Sequence, residues 1–162
     1  MPKVALIMGS KSDAPSLEGC VKVLRSFGID VEVHVASAHR TPEKVADFAA
    51  HARENGFEVI IAAAGKAAHL AGVIAGHTTL PVIGIPIKSS LMDGLDSLLS
   101  TVQMPTGIPV ATVAVGGGDN AAYLAAQILS IRYPELAEKL AAHRARMAAA
   151  IEADDEALNA QL

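Results

Sequence analysis

Aromatic side chains are almost missing from this chain: among 162 residues there are three Phe, two Tyr and no Trp. Flavin stacking needs such rings, so it has little to build on. Cysteine is as scarce. A lone Cys20 rules out an internal disulfide, suits a reducing compartment, and reads as a small core residue on a helical pattern. Positive charge is not in excess either. With a formal net charge of −4 and a pI near 5.8, nucleic acid and anionic membrane are poor partners. Two long runs, 67–87 and 97–118, hold no Asp, Glu, Lys or Arg. His69, His77, Pro81 and Pro86 interrupt the first; Gln103, Pro105, Gly107 and Pro109 interrupt the second. Buried strands and turns suit them better than a membrane span. The start, "MPKVALIMGSKSD", shows no signal-peptide cleavage pattern and enters a strand at once, so the expected location is cytoplasmic.

What the chain does have is small aliphatic mass. Hydrophobic residues make up 51% and mean hydropathy is +0.37, carried by Ala, Val, Ile and Leu. A monomer so composed would show water a large apolar area, and an obligate oligomer is expected.

Short Val/Ile-rich runs at 3–8, 30–36, 58–64, 81–86 and 109–115 read as strands. Helical patterns lie between them, at 14–27, 42–55, 67–76, 91–103 and 119–131. This alternation predicts right-handed crossovers and a parallel sheet covered on both faces. The expected fold is a flavodoxin-like three-layer α/β/α sandwich with about five strands. A further long helix follows Tyr133-Pro134, with Pro134 suited to its first position and Glu135 to the positive end of its dipole. Residues 1–133 are expected to form the catalytic domain. Residues 134–162 extend it as a helical arm on its own or a neighbouring subunit.

In such sheets ligands bind at the carboxyl ends of the strands. Four strand ends carry chemistry here. In "IMGSKSDAP", Gly9 permits close backbone approach, Ser10 and Ser12 offer hydroxyls, and Asp13 could hold a ribose diol beside a phosphate at the helix start. Plain helix capping by Ser12 or Asp13 is the alternative. In "HVASAHRTPEK", Arg40 suits bidentate phosphate pairing and Ser37 adds a hydroxyl. His39 brings an imidazole, the side chain best suited to acid–base work near neutral pH. A surface His-Arg turn would explain the same letters. In "AAAGKAAHLAG", Gly65 and the alanines leave room for a compact substrate, and His69 is either catalytic or structural. The fourth region, from Ile87 onward, offers a flexible Gly-Asp-Ser segment, a wall of Met104, Pro105 and Gly107, and the Gly116–Gly118 turn. Neither GxGxxG, a P-loop nor a GxSxG elbow occurs. The six histidines are scattered without metal-ligand spacing, so no metal is expected.

Together, "MGSKSD", "SAHRTP", "GKAAHLAG", "LPVIGIPI", "GLDSLLSTVQMPTGIPVATVAV" and "NAAYLAAQIL" resemble the N5-carboxyaminoimidazole ribonucleotide mutases, enzymes of bacterial purine biosynthesis. The likeness runs over residues 4–129. It implies transfer of CO2 from the exocyclic nitrogen to ring carbon C4 of an aminoimidazole ribonucleotide, without cofactor or metal, in a homo-octamer whose sites are shared between neighbours. It puts catalytic roles on His39 and His69, and substrate contacts on Ser10, Asp13 and Arg40 with Ser12 and Ser37 nearby. Gly65 and Lys66 would line the CO2 pocket. Two departures stand out: Lys66 occupies a position that is usually a second glycine, and Ala71 one that is usually proline. The sister carboxylases, which use free CO2, read more like "SAHKT" and lack the His69 equivalent. "SAHRTP" and "AAHL" therefore favour the mutase. The alternatives are that carboxylase and a flavodoxin-like binding module without catalysis.

Overall fold

In the computed structural model, which describes residues 1–161, five parallel strands form one sheet in the order β2-β1-β3-β4-β5. They are β1 (Lys3–Met8), β2 (Asp30–Val35), β3 (Val59–Gly65), β4 (Val82–Ile87) and β5 (Ala111–Thr112). The helices are α1 (Ala14–Ser26), α2 (Pro42–His51), α3 (Leu70–His77), α4 (Leu95–Val102), α5 (Gly118–Ser130) and α6 (Pro134–Asn159). This is the flavodoxin-like order expected from the alternation.

Strand side chains alternate between two cores. Val4, Leu6, Met8, Val59, Ile61, Ala63, Ile83 and Ile85 meet α1 and α5 on one face. Ala5, Ile7, Ile60, Ala62 and Val82 meet α2 and α3 on the other. Both faces being covered explains why β3 and β4 are apolar throughout and β1 is apolar after Lys3. Cys20 is fully buried in the first core. Burial, with the Asp119 carboxylate as a smaller cause, pushes its thiol up to about 12. At Gly84 a Cβ would come within 2.3 Å of the Thr101 methyl, so only glycine lets α4 lie this close to β4.

Several expected boundaries move, each for a local reason. β2 is an edge strand that alternates Asp30, Glu32 and His34 with valines, and Val33 and Val35 stay 46% exposed, so full coverage fails there. β5 shrinks to two residues. Pro109 lacks an N–H, and past Thr112 only Val113 N–H to Gly84 O and Gly116 N–H to Pro86 O tie the chain to β4. α3 begins at Leu70 because 67–69 form a tight turn, His69 N–H donating to Ala67 O. α4 begins only after Met92, Asp93 and Gly94 (φ 45, 57 and 113), because left-handed residues end helical pairing.

The arm helix α6 docks by its first turns. Leu136 is buried, Lys139 Nζ donates to Phe27 O at 2.7 Å, and the His143 ring stacks on Tyr123. From Arg144 to Gln161 every residue is exposed. Among the described residues no helix is long and apolar enough to cross a membrane.

Candidate active site

β1 and β3 are neighbours, yet the chain leaves β1 toward β2 on one side and reaches β4 on the other. The crevice opened by that reversal is where such sheets take ligands. Here the turns after β1, β2, β3 and β4 wall a cavity of about 630 Å³.

The first turn is fixed by Gly9 N–H donating to Ala63 O at 3.1 Å. Ser10 caps the short 3-10 turn Lys11–Asp13, its Oγ accepting from Ser12 N–H and lying 2.8 Å from Ser12 Oγ. Asp13 stands at the N-cap of α1 but makes no side-chain capping bond. Capping, the plain alternative, therefore does not account for Asp13. Its carboxyl faces the cavity, where burial pushes it above the ordinary carboxylate range against the Ser10 backbone and the Arg40 guanidinium.

In the second turn Thr41 braces the backbone instead of capping α2. Its Oγ1 accepts from Ser37 N–H at 2.9 Å and donates to Ser37 O at 3.1 Å. Pro42 then starts α2, where its missing N–H costs nothing. The brace projects His39 and Arg40 from a rigid loop. Arg40 reaches across to the neighbouring strand end, Nη2 donating to Gly9 O at 2.8 Å, with Nε 3.4 Å from Ser37 Oγ.

The third turn carries Gly65, Lys66 and His69 into the same wall. His69 N–H donates to Ala67 O at 2.9 Å, a tight turn that aims the ring just ahead of α3. His39 Nε2 and His69 Nδ1 lie 2.9 Å apart with the rings nearly perpendicular, at 80°. One nitrogen must donate and the other accept, so the two imidazoles share one proton between them.

Ser10, Asp13, Ser37, His39, Arg40, Gly65, Lys66 and His69 thus all wall one cavity. Ser12 does not, and touches the site only through Ser10. The fourth turn needs correction. Met104 packs its sulfur against Gly72 on α3 instead, and Gly107 lines a separate groove with Leu80 and Ile108. Both lie between α4 and β5, on the return to the amino ends of the strands, so the topology keeps them from their own chain's rim. Ile87, Lys88 and Ser89 wall the cavity in their place. The strand-end rule alone could have found them, since they close and follow β4. The Gly-Asp-Ser segment is tied down, not loose: Asp96 Oδ1 accepts from Ser97 N–H at 2.8 Å and from the Ser89 hydroxyl. Among the described residues no three His, Cys, Asp or Glu side chains gather as a metal-ligand set.

Fold and site define a doubly wound α/β protein with a two-histidine cavity at its β1/β3 switch point. The chain belongs to the AIR carboxylase family, whose model matches residues 3–150. It is 60% identical over 147 residues to a protein of Pyrococcus abyssi named N5-carboxyaminoimidazole ribonucleotide mutase, covering 91% of this chain and 84% of that one. A Mycobacterium tuberculosis (strain H37Rv) protein of the same name is 50% identical over 157 residues, covering 97% and 90%. The crystal structure of Treponema denticola PurE superposes with a TM-score of 0.86 at 31% identity, over 96% of this chain and 98% of that one.

Proposed function

We propose that this chain is a mutase interconverting N5-carboxyaminoimidazole ribonucleotide and 4-carboxy-5-aminoimidazole ribonucleotide in purine biosynthesis. The observation that carries the reading is the hydrogen-bonded pair His39–His69, seated in one wall with Arg40, Ser10 and Asp13. Relatives of that name at 50–60% identity support it.

The chemistry needs a proton given and a proton taken. Protonating the carbamate nitrogen breaks its bond to the carboxyl carbon, leaving CO2 and a neutral amine. Ring carbon C4, nucleophilic as an enamine carbon, then attacks the CO2. Loss of the C4 proton restores the aromatic ring, so proton and charge balance over the cycle. His39 gives the first proton and removes the last, and His69 relays or orients it through their shared bond. Keeping CO2 beside C4 makes recapture effectively intramolecular, an advantage that reaches about 7–11 kcal/mol for well-oriented groups. Ala38, Ala64, Gly65 and Ala67 leave a compact space for it.

Arg40 and Ser10 bind the phosphate, Asp13 the ribose diol, Ser37 the turn that aims Arg40, with Ser12 supporting Ser10. The protein works in the cytoplasm as a homo-octamer, residues 134–162 serving as an arm against neighbouring subunits. Leu95, Leu99 and Val102, a bare apolar stripe on α4, support burial by another copy, as do the exposed apolar residues Met147 and Ile151 on α6.

The test supplies the N-carboxylated nucleotide, or the decarboxylated nucleotide with bicarbonate, and follows product absorbance. Fast turnover of the former is expected. Turnover only with free CO2 would make the protein a carboxylase, and no turnover of either would leave a binding module.

A further inference from the structure

We propose that Lys66 is the cation that holds the substrate's migrating carboxylate. This rests on the mutase reading above and names the partner of that one group.

Lys66 holds a left-handed backbone, φ 55, at the turn from β3 to α3. Glycine adopts that conformation without strain, whereas a side chain with a Cβ resists it. A long charged side chain kept there against its backbone preference, in a cavity wall, marks a position where the side chain has work to do. The ammonium is also uncommitted. Lys66 makes no side-chain hydrogen bond or ion pair among the described residues, although it lines the cavity. The cavity's other cations are engaged: Arg40 with Gly9 O and Ser37, Lys88 with Asp93 at 3.1 Å.

The order of the strands separates the two anionic ends of the ligand. Arg40 and Ser10 follow β2 and β1, while Lys66 and His69 follow β3. Arg40 itself reaches over to Gly9 O at the β1 end, so its guanidinium stands about one strand spacing, ~4.8 Å, from the β3 end. A ribotide with its phosphate at Arg40 lays its heterocycle toward the β3 end. There the histidine pair meets the reacting atoms, and Lys66 meets the carboxylate. Around it Ala64, Ala67, Leu70 and Ile87 are apolar and offer no competing anion.

Both carboxylated nucleotides carry this group and the decarboxylated nucleotide does not. Calorimetric titration with 4-carboxy-5-aminoimidazole ribonucleotide and with 5-aminoimidazole ribonucleotide therefore isolates it. Lys66→Gly should weaken the carboxylated nucleotide about 10-fold, one charge-assisted contact, and change the decarboxylated one less than ~2-fold. Lys66→Met, which keeps length and backbone strain, should repeat the loss; Lys66→Arg should restore most of it. The thermal midpoint of Lys66→Gly should not fall, since glycine relieves the φ. Equal loss for both nucleotides would move Lys66 to the phosphate, and no loss for either would make it a solvent lysine; each overturns the proposal. Wild-type protein binding neither nucleotide would overturn the mutase reading itself, which silent Lys66 variants in an active enzyme would leave standing.

Discussion

His39 Nε2 sits 2.9 Å from His69 Nδ1, joining the turn after β2 to the turn after β3 across the intervening end of β1. A shared proton makes the pair one unit, and groups acting as a unit lose function non-additively. His39→Asn should abolish turnover, by more than ~10³-fold, while leaving nucleotide binding largely intact. His69→Asn should cost about 10–100-fold, and the double variant should be no worse than His39→Asn alone. Steady-state rates and equilibrium binding on the three variants decide it. Rate losses that simply multiply would mean two independent histidines.

Asp13 gives a prediction in which stability and function move oppositely. Burial raises its carboxyl above the ordinary value of 3.8, so folding favours the protonated form. The sign follows by linkage. Below pH 3.8 the group is neutral folded or unfolded, and no penalty exists. As pH rises from there through the raised value, the unfolded chain ionises first and the fold loses stability. Above that window the penalty is complete. Asp13→Asn removes it, so the variant should melt above wild type at neutral pH, with the gap closing as pH falls toward 3.8. Its nucleotide affinity should drop at least ~10-fold, the loss of a charged hydrogen bond. Thermal melts across pH alongside binding titrations test both halves, and a variant that melts lower at neutral pH would refute the burial argument.

Most of the fold was legible because local signals agreed. Val4, Leu6, Ile60 and Ile61 lie in runs that read as doubly buried strands, and Pro42 and Pro134 open helices where their chemistry allows. The candidates at the first three strand ends followed from the strand-end rule, and the cavity gathers all of those except Ser12. Met104, Pro105, Gly107 and the Gly116–Gly118 turn of the fourth region stay outside it. What could not be read came from contacts far apart in sequence. The partner of His69 is 30 residues away, and only the β2-β1-β3 order brings the two rings together. The left-handed run Met92-Asp93-Gly94 delays α4 against a helical pattern, and no periodicity announces it. Met104 looked like a rim residue by composition, but its place between α4 and β5 sends it to Gly72.

Ser97 links the core to the cavity's fourth wall. It is fully buried, and its hydroxyl lies 2.7 Å from Ile87 O and 2.8 Å from Gly94 O. It thus clamps both ends of the segment carrying Ile87, Lys88 and Ser89. Ser97→Ala removes the single hydroxyl proton that the two carbonyls compete for, at a cost of about 1–2 kcal/mol. In a chain of this size that corresponds to a fall of ~3–6 °C in Tm. KM should rise several-fold as the wall loosens, with kcat falling less, because the histidine pair stands on other strands. Ser26→Ala is the control: its hydroxyl donates to Val23 O at 2.7 Å on an exposed helix end, so neither Tm nor KM should move appreciably. A Ser97→Ala protein with lowered Tm but unchanged KM would show that the clamp serves the fold alone and that the fourth wall holds its shape without it.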